Sequence, residues 1–285
     1  MDIAARFRGL CNNIRVSKDI VDTVQYRFNR IVERIQSDFD DDSIYGRYVG
    51  SYGRNTAIEV SDIDVIVVLP WSVYSQYNNY TYNGQSALLQ AVKNSISNTY
   101  STTSMRGDGQ VVVVEFSDGI RFEVVPGFEF DDGSFYYPDS HDGGSWKVTN
   151  PIPEQEAIHN LDMRYDYNCR RLCRMMRAWK AQNNVKMKGL LIDTYVARFI
   201  DQAVYRDKSY LYYDYLTRDF FKFLSQQDDT KSYIYAIGSN QHVYIDDSFV
   251  KKAEQAYNWA LSACKNSDND FLAEYYWQKI YGSKF

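Results

Sequence analysis

Residues 48–70 read YVGSYGRNTAIEVSDIDVIVVLP, and no other stretch constrains the fold as strongly. An apolar, strand-like run ends in Gly50-Ser51, a polar turn follows over 52–60, and Asp62-Ile63-Asp64 opens a second apolar run, 65–69, stopped by Pro70. Side chains alternate along a strand, so Asp62 and Asp64 share one face and Ile63 points to the other. Two neighbouring carboxylates in mostly apolar sequence are costly unless positive charge stands between them. A hard divalent cation meets that need, and Mg²⁺ in phosphoryl-transfer sites is held by one or two carboxylates together with substrate phosphates.

The rest of the chain must build a sheet around this strand. With 285 residues and 45% hydrophobic content it can form one large or two closely packed domains. Its formal net charge of -5 argues against general nucleic-acid binding. No stretch reaches transmembrane length and the N-terminus has no secretory pattern, so no membrane association is expected. Cys11, Cys169, Cys173 and Cys264 show neither metal-ligand nor disulfide-framework spacing, which fits a reduced, cytoplasmic protein. His141, His159 and His242 are isolated from one another and from cysteine, and no zinc site is expected.

Residues 16–39 predict a long amphipathic helix, with Ile20, Val24, Phe28, Ile31 and Ile35 at three- and four-residue spacing and Ser17 as its N-cap. A strand over 44–49 leads into Gly50-Ser51, and 62–69 forms the next strand. Residues 71–85 and 101–109 read as loops around a helix at 86–100. Residues 110–116 and 120–125 predict a hairpin turned at Ser117-Asp118-Gly119. On its second strand Arg121, Glu123 and Val125 share a face, which puts one acid in the middle of an apolar strand. Residues 131–145 are loop-like, and 146–153 cross to a helical half with helices expected at 167–182, 190–205, 210–225 and 248–265 and a short one within 269–285. The expected domains are 1–150, including the N-terminal helix, and 151–285.

Asp62, Asp64 and Glu123 can converge if their strands are neighbours in a mixed sheet, and three carboxylates there can bind two metal ions, one at an attacking hydroxyl and one at a triphosphate. Gly50 lets backbone amides approach a phosphate and Ser51 adds a hydroxyl donor, although an ordinary strand-to-helix turn has the same signature. On residues 167–182 an apolar face of Cys169, Leu172, Cys173, Met176 and Trp179 lies beside a stripe of Arg170, Arg174 and Arg177. That stripe is either a solvated face or a triphosphate clamp, since guanidinium suits phosphate oxygens.

GSYGRNT, SDIDVIVV and IRFEVVP, in this order, resemble the DNA polymerase β-type nucleotidyltransferases, and more closely the cGAS/DncV-like nucleotidyltransferases (CD-NTases) of bacterial CBASS anti-phage systems. WKVTNP, CRRLCRMMRAWKAQN followed by VKMKG, and WQKIYGSKF extend the resemblance over nearly the whole chain. The resemblance implies an α+β fold, a polymerase β-like core of mixed sheet and helices packed on a C-terminal helical bundle and bridged by the long N-terminal helix. It implies a monomeric synthase that joins NTPs, ATP and UTP among them, into a cyclic di- or oligonucleotide with loss of pyrophosphate, the two NTPs lying between the halves. Mg²⁺, or Mn²⁺, would sit on Asp62, Asp64 and Glu123, and Gly50, Ser51, Arg174, Arg177 and Lys188 would contact nucleotide phosphates, with Lys180 and Lys186 as further basic candidates. Asn150 falls in the segment that lines the base pocket; its carboxamide offers one donor and one acceptor and matches uracil O4 and N3–H, so cyclic UMP-AMP or cyclic di-UMP is an expected product. A cyclic-nucleotide-gated effector is the expected partner. Two positions depart from the family pattern: Glu123 stands where Asp is usual, and Gly189 where many members carry Ser. The ending Gly282-Ser283-Lys284-Phe285 is not the terminal glycine through which some members are conjugated. Two other readings share the same acids: a template-independent transferase acting on an RNA end or small acceptor, and an inactive nucleotide-binding sensor.

Overall fold

A computed structural model describes residues 2–58 and 62–285, so residues 59 and 60 of the predicted polar turn, and residue 61, lie outside the described residues. Helix α1 (Ile3–Asn13), absent from the sequence expectation, starts where Asp2 accepts a hydrogen bond from the Ala5 amide at 3.0 Å. Helix α2 (Lys18–Phe39) is the long amphipathic helix: Ser17 caps it, and Asp40 ends it in the left-handed region at φ 52°. Strand β1 (Tyr45–Tyr48), the single turn α3 (Gly50–Gly53) and strand β2 (Asp62–Val68) follow. Pro70 then stands as the N-cap of α4 (Trp71–Asn78), in what reads as a loop; its aromatic residues are held by packing, with Trp71 and Tyr74 at 5.6 and 5.5 Å from Phe128. Helix α5 (Gly84–Thr99) is capped by Asn83.

Strands β3 (Ser104–Asp108), β4 (Val111–Glu115), β5 (Arg121–Glu129), β6 (Phe135–Asp139) and β7 (Ser145–Thr149) complete the large sheet. Its order is β1-β2-β5-β4-β3, with β6 and β7 added beyond the end of β5. Only the β2–β5 pairing is parallel; every other pair in this sheet is antiparallel among the described residues. Strands β3, β6 and β7 lie where the sequence reads as connection. They are peripheral strands with little apolar alternation, and their sheet partners rather than their own pattern make them strands.

The helical unit contains α6 (Ile152–Arg164), α7 (Asn168–Gln182), α8 (Gly189–Ile200), α9 (Tyr213–Ser225), the small hairpin β8 (Tyr233–Tyr235) and β9 (His242–Tyr244), α10 (Val250–Lys265) and α11 (Asp270–Tyr281). Two compact units emerge. One holds the sheet with α2, α4 and α5; the other gathers residues 2–15, 54–58 and 153–285. Helix α1 therefore belongs with the helices, α2 with the sheet, and the short segment after α3 with the helices. The architecture is the α+β arrangement predicted from sequence. No helix among the described residues is long and apolar enough to cross a membrane.

One face of the sheet is closed by α2 and α5. Val24, Ile31 and Ile35 of α2 and Leu88, Val92 and Ile96 of α5 form one core with Ile63, Val65, Val67, Val112, Val114, Phe122 and Val124. Period-2 alternation then forces Asp62, Asp64, Arg121 and Glu123 onto the opposite face. Phe122 sits at the centre of the covered face with no solvent exposure. Replacing it, Phe122→Ala, is expected to cost about 3–5 kcal/mol of stability, measured by urea denaturation.

Candidate active site

The parallel register sets Asp64 opposite Glu123 and Asp62 opposite Arg121. All three expected acids thus lie on one face of two adjacent strands, as the sequence predicts. Between them the structure places a cation from the chain itself. Arg121 Nε forms an ion pair with Asp62 Oδ1 at 2.8 Å, and its Nη2 donates to Glu123 Oε1 at 2.8 Å. On the next strand Glu115 is the register partner of Arg121, and it is engaged by Arg106 of β3. On this face Asp62, Arg121, Glu115 and Arg106 form a row of alternating charges across four strands, beside buried Ile66, Val68 and Val113. Among the described residues no three His, Cys, Asp or Glu side chains converge closely enough to hold a metal ion. The donor chemistry nevertheless suits a divalent cation: three carboxylates share one row, and a positive group already bridges two of them.

Gly50 and Asp64 are locked together by backbone geometry. The Val49 amide donates to the Asp64 carbonyl at 2.9 Å, and the Gly53 amide to the Val49 carbonyl at 2.9 Å. Gly50 has φ +59°, and a Cβ there would overlap the Asp64 carboxylate. Only glycine satisfies both conditions. Ser51 follows within α3, so the Gly-Ser pair and the second acid of the strand form one local unit. Asn150 directly follows β7; its Oδ1 is buried and has no hydrogen-bond partner among the described residues.

The arginine stripe of α7 has partners within the helical unit. Arg170 Nε donates to the Arg54 carbonyl at 3.1 Å and its Nη1 pairs with Asp162 at 3.4 Å. Arg174 makes two longer contacts, 3.3 and 3.4 Å, to the Asn55 carbonyl. Arg177 Nη2 donates to Thr56 Oγ1 at 2.9 Å, the Gly189 carbonyl at 3.1 Å and Asp193 Oδ2 at 2.6 Å. The three arginines together strap residues 54–56 to α7. Lys188, the weaker basic candidate, is paired with Asp246 at 2.9 Å. Gly189 now has a reason: any side chain there would press on the Arg177 guanidinium.

At the centre of the strap is Asp193, fully buried, which accepts from Arg54 Nε and Thr56 Oγ1, both at 2.9 Å, as well as from Arg177. Burial pushes its carboxyl up, but the Arg177 and Arg54 charges and the two hydrogen bonds outweigh burial and hold it below the ordinary carboxylate range. Arg54 also pairs with buried Glu154 at 3.3 Å, whose carboxyl burial raises. Burial lowers the pKa of Arg174, the least committed member of the stripe. Sequence reasoning missed Arg54, Thr56, Glu154 and Asp193. One signal was available: Asp193 is the single acid in the apolar run LLIDTYVARFI. Cys169 and Cys173 are fully buried in the apolar face of α7, as expected of core thiols. Asp193→Asn leaves Arg177 without its carboxylate and Arg54 with Glu154 alone; a loss of about 3–5 kcal/mol is expected in guanidinium denaturation.

Comparison with known proteins agrees with this architecture. Residues 1–161 match the Second Messenger Oligonucleotide or Dinucleotide Synthetase (SMODS) domain family. The chain is 22% identical over 307 residues to cyclic AMP-AMP-AMP synthase of Acinetobacter sp. (strain ATCC 27244 / 9458), covering 100% of this chain and 86% of that protein. Its fold matches Escherichia coli MS115-1 CdnC, solved with ATP, at a TM-score of 0.73 and 18% identity, covering 100% of this chain and 99% of that one. It also matches Vibrio cholerae DncV cyclic AMP-GMP synthase, solved with a linear intermediate, at a TM-score of 0.66 and 13% identity, covering 99% and 88%. The chain belongs to the SMODS family, the second-messenger nucleotidyltransferases known as CD-NTases.

Proposed function

We propose that the protein condenses nucleoside triphosphates into a cyclic oligonucleotide, releasing pyrophosphate at each bond formed. The observation that carries this reading is the single row of Asp62, Asp64 and Glu123 set by the parallel β2–β5 register beside the Gly50-Ser51 turn. Asp62, Asp64 and Glu123 would hold the divalent ions, two Mg²⁺ or Mn²⁺. When bound, such ions lower the pKa of an acceptor ribose hydroxyl and neutralise charge on the phosphates. The chain's own share is positioning and charge. Gly50 lets the backbone approach a phosphate without a side chain in the way, and Ser51 contributes a hydroxyl. Arg174, Arg177 and Lys188 are the cations suited to the triphosphate oxygens. Of these Arg174 has the weakest existing contacts to give up.

Two observations bear on the base. The relative named for cyclic AMP-AMP-AMP supports adenine. The unpaired Oδ1 of Asn150 supports direct reading of a base edge, and its carboxamide matches uracil O4 and N3–H. Our reading is a synthase that takes ATP, with UTP as a second substrate selected at Asn150, acting in anti-phage defence through a cyclic-nucleotide-gated effector. Transfer to an RNA or small-molecule acceptor and nucleotide sensing without turnover are the rival activities.

Mass spectrometry of products from all four NTPs with Mg²⁺ or Mn²⁺ tests this directly. A cyclic, phosphatase-resistant product containing adenosine, with or without uridine, is expected; a linear adduct or bound, unreacted nucleotide favours a rival. Asp64→Asn is expected to abolish the product while retaining the fold. Gly50→Ala is expected to reduce it severely, because the new methyl displaces the Asp64 carboxylate; full synthesis by either soluble variant refutes the assignment.

A further inference from the structure

The alternating charges on the acidic face of the sheet contain one group that the expected chemistry leaves unused. Arg121 is the register partner of Asp62 and lies two residues before Glu123 on the same strand, and its guanidinium spans one oxygen of each acid at 2.8 Å. Building on the proposed metal role of these acids, we infer that Arg121 is a built-in counter-ion that competes with the divalent cation for Asp62 and Glu123. It is a positioning residue, and it sets the affinity of the idle enzyme for metal.

The physical case rests on shared oxygens. Carboxylates aligned on one row repel one another, and a fork-shaped guanidinium can compensate two of them at once. Arg121 takes one oxygen of each carboxylate, Oδ1 of Asp62 and Oε1 of Glu123, so a metal ion that uses those oxygens has to displace it. The side chains are accessible: Arg121 is 32% exposed, Asp62 48% and Glu123 28%, so the exchange needs no buried charge to be stranded. Among the described residues the acids do not form a metal-binding cluster although the register lines them up, and Arg121 holds two of the three. A metal that must displace a resident cation binds weakly alone and more firmly when substrate phosphates add their own oxygens. Loading of metal is thereby tied to arrival of a nucleotide.

The test is calorimetric titration of the full chain with Mn²⁺ alone, without nucleotide. Arg121→Gln is expected to bind Mn²⁺ about tenfold more tightly than the unaltered protein, because the competing charge-assisted contacts are gone. Arg121→Lys, which keeps the charge but loses the fork, is expected to fall between them. Arg106→Gln removes the same charge one contact further away and is expected to change the affinity by about twofold or less. Equal gains from Arg106→Gln and Arg121→Gln would reduce the effect to overall charge and overturn the inference. Unchanged or weaker Mn²⁺ binding by Arg121→Gln overturns it as well. If Arg121→Gln does not fold, Arg121→Lys decides in the same way: tighter binding supports competition and unchanged binding refutes it. Asp64→Asn separates the two levels. Loss of Mn²⁺ binding there with no gain at Arg121 defeats this inference alone, whereas Mn²⁺ binding untouched by Asp64→Asn defeats the metal assignment and the inference with it.

Discussion

The parallel pairing of β2 with β5 is the interaction on which the site depends. It brings two segments distant in sequence into register, Asp64 against Glu123 and Asp62 against Arg121. Parallel strands are usually covered on both faces. Here α2 and α5 cover one face, and along β2 the second acid is only half-buried while the residues beyond it are buried. Register and burial enforce each other: sliding β5 by one residue would turn Phe122 and Val124 outward and Glu123 into the core, which burial of an unpaired charge forbids. The hydrophobic packing of one face therefore guarantees the chemistry of the other.

The helical unit spends its charges differently. Asp193, Arg54 and Glu154, all buried, form an ionic cluster with the partly buried Arg177. Buried ion pairs seldom add net stability over well-packed apolar residues, because desolvation offsets the attraction. What this cluster does provide is a single conformation for residues 54–56, whose carbonyls and hydroxyl are each held by a different group: Arg54 by Arg170, Asn55 by Arg174 and Thr56 by Asp193 and Arg177. The segment leaving the Gly50-Ser51 turn is pinned by polar contacts rather than by secondary structure.

Much of this was legible in the sequence, for identifiable reasons. Asp62 and Asp64 stood out because alternation is strict in a strand, and Glu123 because an acid inside an apolar strand demands a cause. Helix α2 declared itself through its periodicity and Ser17. Strands β3, β6 and β7 did not, since a polar peripheral strand acquires its structure from neighbours the local sequence does not reveal. The Arg170, Arg174 and Arg177 stripe was visible as a pattern, but its present acceptors were not. Two of them are backbone carbonyls of residues 54 and 55, and a third is an acid on another helix. Arg121 was placed on the correct face by alternation alone. That it bridges Asp62 and Glu123 required the register between strands, which no single-strand pattern contains.

The order in which the chain emerges during synthesis gives the β2–β5 pairing another meaning. Contacts between residues far apart in sequence form late, because the intervening chain must first be made and its closure entropy overcome. Asp62 and Asp64 are thus exposed on a nascent chain well before their partner strand exists. When β5 arrives it carries Arg121 and Glu123 together, so the third acid reaches the sheet with its own compensating charge two residues ahead of it. The pairing step that sets Asp64 against Glu123 also brings Arg121 to Asp62, so the docking strand itself carries a charge that offsets part of the repulsion in the acidic row.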